Sequence, residues 1–201
     1  MFGKNTPYAL DDNMKIDFDV VSQFLSKHKD SPILIFGFTS IIWKHFTEEL
    51  KKAGQTLDIN KGILIHGGGW KKLADQNITN DDFKSALQNT AAIEKVYNYY
   101  GMIEQTGSIF FECESGHLHT STFSDIIIRD DEFNSLGVGE KGLIQLLSLL
   151  PTSYPGHSIL SEDMGEILGV DNCSCGRLGK YFKIYGRIKN AEIRGCSDTI
   201  K

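Results

Sequence analysis

Cys113, Cys173, Cys175 and Cys196 are the four cysteines of the chain, and three of them stand at spacings that suit a metal. Cys113 and His119 flank a candidate turn at Ser115-Gly116, and Cys173 and Cys175 form a C-x-C just before Gly176-Arg177. Two such Cys/His pairs, brought in from separate segments, can close a tetrahedral Zn²⁺ site of the Cys₃His type. His117 competes with His119 for the histidine position. A C-x-C is less specific than a C-x-x-C, and the alternative is three buried thiols acting as small hydrophobes. A site closed by four protein ligands would staple the fold and leave no open position for catalysis.

These residues need elements to position them. Asp17 can cap a helix through about His28, with Val20, Val21, Phe24 and Leu25 on one face. Ile33 to Phe36 reads as a buried strand after Pro32. Thr39 or Ser40 opens an amphipathic helix that Gly54 ends, and Gly62 to His66 is a second buried strand. Thr79 caps the next helix, with Asp82 at the capping-box position, and Lys95 to Tyr99 is a third strand.

The order β-α-β-α-β favours a parallel sheet with crossover helices. Ligands gather at the C-terminal strand ends of such sheets. Those ends read Gly37-Phe38-Thr39, Gly67-Gly68-Gly69 and Gly101-Met102, so backbone could approach a ligand closely there, or the glycines simply make tight turns.

From about residue 108 the chain is strand-rich. Candidates are Ile109 to Cys113, Asp125 to Arg129, Gly142 to Leu147, Glu166 to Gly169 and Phe182 to Tyr185. The expected fold class is α/β: a parallel β-α-β portion over residues 1–107, followed by a small barrel-like or curled antiparallel portion over residues 108–201.

Composition narrows the function. Hydrophobic residues make up 40% of the chain, enough for a sizeable core. A net charge of −5, with no basic cluster, argues against nucleic acid as a partner. No apolar run reaches the roughly 18 residues of a membrane span. The N-terminus lacks the layout of a signal peptide. A cytoplasmic protein is expected, in which disulfides are improbable.

Four further motifs carry a resemblance. Tyr100-Gly101-Met102-Ile103-Glu104 resembles the Tyr-Gly-x-x-Glu motif of adenylate-forming enzymes. Gly67-Gly68-Gly69-Trp70 stands where that superfamily has a glycine-rich turn on the adenine side. Glu162-Asp163-Met164-Gly165-Glu166 resembles the segment whose Asp holds the ribose hydroxyls, and Tyr185-Gly186-Arg187 the Gly-Arg that closes the nucleotide domain.

A closer similarity is to LuxE-type acyl-protein synthetases. It rests on Ile35 to Thr39, His66 to Lys71, Tyr100 to Phe110 and, above all, Ala191 to Asp198. It covers nearly the whole chain, and the parallel part then resembles part of an adenylate-forming N-domain.

The resemblance implies roles. ATP and a fatty acid would be the substrates, giving an acyl-adenylate. The acyl group would pass to Cys196, the family's cysteine near the C-terminus, and then to a partner acyl reductase. Thiolate is the apt nucleophile at neutral pH, and Lys189 and Arg194, nearby in sequence, could lower its pKa. Glu104 would hold Mg²⁺ against the phosphates. Asp163 would accept from the ribose, and Arg187 would reach ribose or phosphate as a fixed cation. Tyr100 would stack on adenine or join the core. His66 is a possible acyl-pocket residue. Phenylacetate-CoA ligases, some with zinc at similar Cys/His segments, are more distant relatives.

Two departures stand out. Ile103 replaces the Ser or Thr common at its position, with Thr106 a candidate substitute. The Gly/Ser/Thr-rich phosphate loop of the superfamily's N-terminal part has no counterpart here, so the chain reads as the C-terminal half. That leaves a CoA ligase, or a non-catalytic module binding a partner or nucleotide, as alternatives. The end at Lys201 weighs against the CoA ligase, which would continue into a further domain.

Overall fold

The computed structural model describes residues 6–68 and 78–188. These divide into two compact units, one running up to Tyr97 and the other starting at Asn98.

In the first unit, α1 (Phe18–His28) begins where the Asp17 carboxylate accepts the Val20 N–H at 3.0 Å, the cap expected from sequence. β1 (Ile33–Phe38) and β2 (Gly62–Gly67) pair in parallel, from Ile33 opposite Gly62 to Phe38 opposite Gly67. β3 (Lys95–Tyr100) follows β2 in the sheet order. The helical connection after β1 is not uniform. It runs as α2 (Thr39–Ile41), a π-helical stretch (Ile42–Thr47) and α3 (Glu48–Ala53), and it stops at the left-handed Gly54. One amphipathic helix was expected, and side-chain pattern carries no mark of a widened turn. α4 (Asn80–Ala91) starts with the capping box expected from Thr79 and Asp82: each side chain accepts the other's backbone N–H.

The core of this unit gathers Leu64 from β2, Phe83, Leu87 and Ala91 from α4, and Trp43 from the π-helical stretch. Burying a side chain such as Phe83 or Leu87 stabilises by about 1.5–3 kcal/mol. Ile33 and Ile35 pack onto this core, whereas Leu34 and Phe36, on the other face of β1, are exposed.

In the second unit, the end of β3 pairs antiparallel with β4 (Phe110–Phe111), Tyr100 opposite Phe110. Then come β5 (Leu118–His119), β6 (Ser124–Arg129), β7 (Lys141–Ser148), β8 (Ser158–Val170) and β9 (Lys180–Arg187). They form one sheet in the order β5-β9-β8-β7-β6, with every pairing antiparallel. β6 and β7 alternate buried and half-buried residues, the period of a sheet with one face on a core. That core contains Phe110, Ile126, Ile128, Ile144, Leu146 and Phe182, and the rings of Phe110 and Phe182 meet edge-to-face at 5.4 Å.

β8 is far longer than the Glu166–Gly169 segment that the sequence suggests. Its pairing with β9 shifts register between Met164 and Gly165 and again between Ile167 and Gly169. Each shift breaks the two-residue alternation by which a strand is recognised. Gly165 is required by close approach, because a Cβ there would stand 2.8 Å from the Lys183 carbonyl oxygen and 2.5 Å from Ile144 Cδ1.

Candidate functional site

Two polar constellations form in the second unit, and both involve β8 and β9. The first lies where β8 turns into β9. Residues Cys113 to Gly116 and Cys173 to Gly176 make two turns of the same design. In each, the glycine N–H donates to the carbonyl of the cysteine three residues earlier, Gly116 to Cys113 at 2.9 Å and Gly176 to Cys173 at 3.0 Å. Both glycines have positive φ, 77° and 79°. The turns are tied by a Ser174–Ser115 hydroxyl hydrogen bond of 2.7 Å and an exposed Arg177–Glu114 ion pair of 3.3 Å.

This places Cys113 Sγ 3.9 Å from Cys173 Sγ, and Cys175 Sγ 3.5 Å from His119 Nε2. The ligand atoms of Cys113, His119, Cys173 and Cys175 all lie within 4.8 Å of one another. Zn–S bonds of about 2.3 Å and Zn–N bonds of about 2.0 Å on a tetrahedron require S···S edges of about 3.8 Å and S···N edges of about 3.5 Å. The Cys113–Cys173 and Cys175–His119 distances match these edges, and the donor set of three sulfurs and one imidazole suits zinc. His119, and not His117, aims its Nε2 into the cluster. Burial, then the Arg177 charge, holds the His119 imidazole below its ordinary pKa, which favours the neutral, ligating form. Cys113 and Cys173 are buried, and Cys175 is half-buried.

The second constellation lies further along the same two strands. Asp163 on β8 is opposite Arg187 on β9. Tyr100, at the end of β3, donates its hydroxyl to Asp163 Oδ2 at 2.7 Å. Arg187 Nε stands 3.7 Å from Asp163 Oδ1, and its Nη1 stands 3.7 Å from Glu162 Oε2. The Asp163 backbone N–H bonds the Ser161 hydroxyl at 3.2 Å, and that hydroxyl donates to the Ile144 carbonyl, which pins the strand. Burial pushes the Tyr100 phenol well above its usual pKa, and the adjacent Asp163 charge adds to this, so Tyr100 stays a donor. A carboxylate offers about four lone-pair directions. Asp163 uses few of them here and can accept further hydrogen bonds.

The remaining candidates are placed as follows. Glu104 sits in a short 3₁₀ turn (Ile103–Gln105), exposed, its carboxylate without a partner among the described residues. Gly101 is held by close approach, since a Cβ would lie 3.0 Å from the Ser108 carbonyl oxygen. In the first unit, Gly67 ends β2 and Gly68 takes a left-handed φ of 63° beside Phe38. His66 is fully buried, 2.9 Å from the Thr39 hydroxyl through Nδ1, and its ring packs on Phe83. Burial, and secondarily the Lys84 charge, drives its pKa down to about 3. Gly69 and Cys196 lie outside the described residues, as do Lys189 and Arg194.

Sequence reasoning missed three contributors, Gln105, Ser161 and Tyr181. Gln105 is buried and donates to the Gly156 carbonyl at 2.9 Å, which fixes the turn carrying Glu104. Ser161 lies in β8, where its hydroxyl accepts the Asp163 N–H. The ring of Tyr181 packs against both His117 and His119. Only Gln105, an amide directly after the Tyr-Gly-x-x-Glu segment, had a local signal to find.

Solved structures with this architecture are adenylate-forming ligases. A 2-hydroxyisobutyryl-CoA ligase in complex with 2-HIB-AMP and CoA matches with a TM-score of 0.63 at 21% identity, over 85% of this chain and 36% of that one. ATP-bound MatB from Rhodopseudomonas palustris matches with a TM-score of 0.52 at 16% identity, over 83% and 33%. The chain thus shares the fold of about a third of each of these proteins. A family model for acyl-protein synthetase, LuxE, matches residues 2–201, and the chain belongs to that family. Among curated proteins it is similar to a long-chain-fatty-acid–luciferin-component ligase of Aliivibrio fischeri, 26% identical over 167 residues, covering 78% of this chain and 42% of the relative. It is also similar to the Vibrio harveyi protein of the same description, 24% identical over 152 residues, covering 74% and 39%. The chain thus spans about two fifths of these relatives. No described helix is long and apolar enough to cross a membrane.

Proposed function

We propose that this chain is the nucleotide-holding part of an ATP-dependent acyl-protein synthetase acting on a fatty acid. The observation that carries the reading is the meeting of Tyr100, Asp163 and Arg187. Asp163 accepts the two ribose hydroxyls, and Arg187 sets a fixed positive charge beside them. Tyr100 orients the Asp163 carboxylate, and its ring edges the adenine position with Gly101. Glu104, its carboxylate without a partner among the described residues, takes Mg²⁺ on the ATP phosphates. The fatty carboxylate attacks the α-phosphorus, forming the acyl-adenylate and releasing pyrophosphate. The Cys196 thiolate then attacks the acyl carbon, forming a thioester and releasing AMP. A partner acyl reductase takes the acyl group onward. Cys113, His119, Cys173 and Cys175 hold a structural Zn²⁺.

The test is intact mass after incubation with ATP, Mg²⁺ and a C14 fatty acid, with the chain alone and with the part of the Aliivibrio fischeri ligase that it does not span. An adduct of acyl mass, removed by hydroxylamine and missing in Cys196→Ser, is expected. Transfer to coenzyme A in place of the protein would favour a CoA ligase. No adduct and no acyl-CoA under either condition would leave a non-catalytic module.

A further inference from the structure

We infer that His117 is an outer-sphere residue of the Cys/His site: it donates an N–H hydrogen bond to the Cys173 sulfur and thereby sets metal affinity without ligating. The inference rests on the zinc reading above and concerns a histidine that this reading leaves without a role.

The geometry separates the two histidines. His119 Nε2 stands 3.5 Å from Cys175 Sγ and is one of the four convergent ligand atoms. His117 Nδ1 stands 3.4 Å from Cys173 Sγ but is not among those atoms. A metal-bound cysteine is a thiolate, which can only accept. His117 Nδ1 therefore carries the proton and donates.

The backbone and a neighbouring ring fix this pose. The Cys113 N–H donates to the His117 carbonyl at 2.8 Å, which ties His117 to the first turn. The Tyr181 ring lies 5.1 Å from the His117 ring and 5.8 Å from the His119 ring, so one aromatic side chain supports both. Tyr181 has room because residue 169 is glycine. A Cβ there would stand 2.7 Å from the Tyr181 hydroxyl oxygen.

The chemistry supplies the reason for such a donor. Three thiolates and a neutral imidazole on Zn²⁺ leave the site with net negative charge. Hydrogen bonds to the sulfurs disperse that charge and make each thiolate a poorer base toward protons. The Arg177 backbone N–H already does this for Cys175 at 3.4 Å. His117 does it for Cys173, so the two sulfurs of the C-x-C each have one N–H donor from outside the ligand set. Removing such a partner typically costs 10–100-fold in metal affinity.

Co²⁺ is the probe, since its d–d and sulfur-to-metal charge-transfer bands report the ligand set independently of any activity. The purified chain is titrated with Co²⁺ in competition with a chelator. His117→Phe keeps a ring on Tyr181 but removes the N–H. Its expected behaviour is Co²⁺ bands like those of the unaltered protein, with affinity about 10–100-fold weaker. His117→Asn keeps an N–H and should recover part of the loss. His119→Ala should instead change the d–d bands, because a ligand is gone. The inference is overturned if His117→Phe shifts the bands as His119→Ala does, which would make His117 a ligand. It is equally overturned if both His117 variants bind with unaltered affinity. Failure of the unaltered chain to bind Co²⁺ or Zn²⁺ would remove the zinc reading along with it.

Discussion

The two ends of the β8–β9 ribbon, separated by roughly 20 Å of strand, solve opposite problems with polar side chains. At the turn end, Cys113, His119, Cys173 and Cys175 converge so closely that their ligand atoms lie within 4.8 Å of one another, and most of that cluster is buried. At the other end, Asp163, Arg187 and Tyr100 meet loosely: one short hydrogen bond, ion-pair distances of 3.7 Å and an arginine 31% exposed. A closed set of soft donors is complete once it holds an ion. An open set of hard donors keeps acceptor capacity for something that comes and goes. The first end suits a staple and the second a ligand site, and a single pair of strands joins them.

The largest effect should come from breaking the staple. Cys113→Ser, or zinc removal by a chelator, is expected to cost the second unit about 3 kcal/mol, on the order of 15 °C in Tm. Amide hydrogen exchange should rise first in β5 and at the turn between β8 and β9, and not in α4. A uniform rise over both units, or no change, would show that the cluster is not a local staple.

Breaking the open end should separate binding from stability. Asp163→Asn keeps the shape but loses the charge and turns one acceptor oxygen into a donor amide. Charge-assisted hydrogen bonds contribute about 1.5–3 kcal/mol, so affinity for ATP should fall about 10–100-fold while Co²⁺ affinity at the other end stays unchanged. Isothermal titration of both ligands on one variant checks this. Loss of metal affinity in Asp163→Asn would mean that the two ends are not independent.

How much of this contrast the sequence revealed follows from the range of the forces involved. The Asp17 cap and the Thr79–Asp82 box are contacts over three residues, and their residue types alone announced them. The Cys/His cluster was legible because sulfur and imidazole have few other reasons to stand at such spacings, though only the fold brings His119, and not His117, into the convergent set. The Tyr100–Asp163 hydrogen bond was hidden. It joins residues from distant strands through a register that two β-bulges displace, and the same bulges concealed most of β8. The two-residue strand β5 was invisible because its pairing with β9, and not its own pattern, makes it a strand. The roles proposed for Glu104 and Asp163 came from family resemblance, since an exposed glutamate in a turn looks alike whether or not it holds a cation.

The first unit offers a third way to keep a polar group inside, and it sharpens the contrast. His66 is neither a ligand nor an open acceptor but a neutral imidazole in an apolar core. Its folded pKa is near 3 against an ordinary 6.5. Below pH 6.5 the unfolded chain binds a proton that the folded chain refuses, so stability falls as pH drops toward 3 and is unaffected above 6.5. Between pH 6.5 and 5 the loss should be about 2 kcal/mol. Urea melts of the unaltered chain and His66→Gln across this range should differ in slope, with the variant flatter. Equal slopes would mean that His66 charges within the fold.

The smallest expected effect tests how loose the open end is. Tyr100→Phe removes one hydroxyl and leaves Asp163 with Arg187 as its remaining side-chain partner. If the phenol orients the carboxylate, ATP affinity should drop about fivefold, the value of roughly 1 kcal/mol for one hydrogen bond. The drop should be smaller for 2′-deoxy-ATP, which presents one hydroxyl fewer and so gains less from an oriented acceptor. Equal losses for both nucleotides would assign Tyr100 to packing alone, consistent with its contact with the core of the second unit. No loss for either would show that the strand pairing of Asp163 with Arg187 suffices to aim the carboxylate, and that the open end is more rigid than its distances imply.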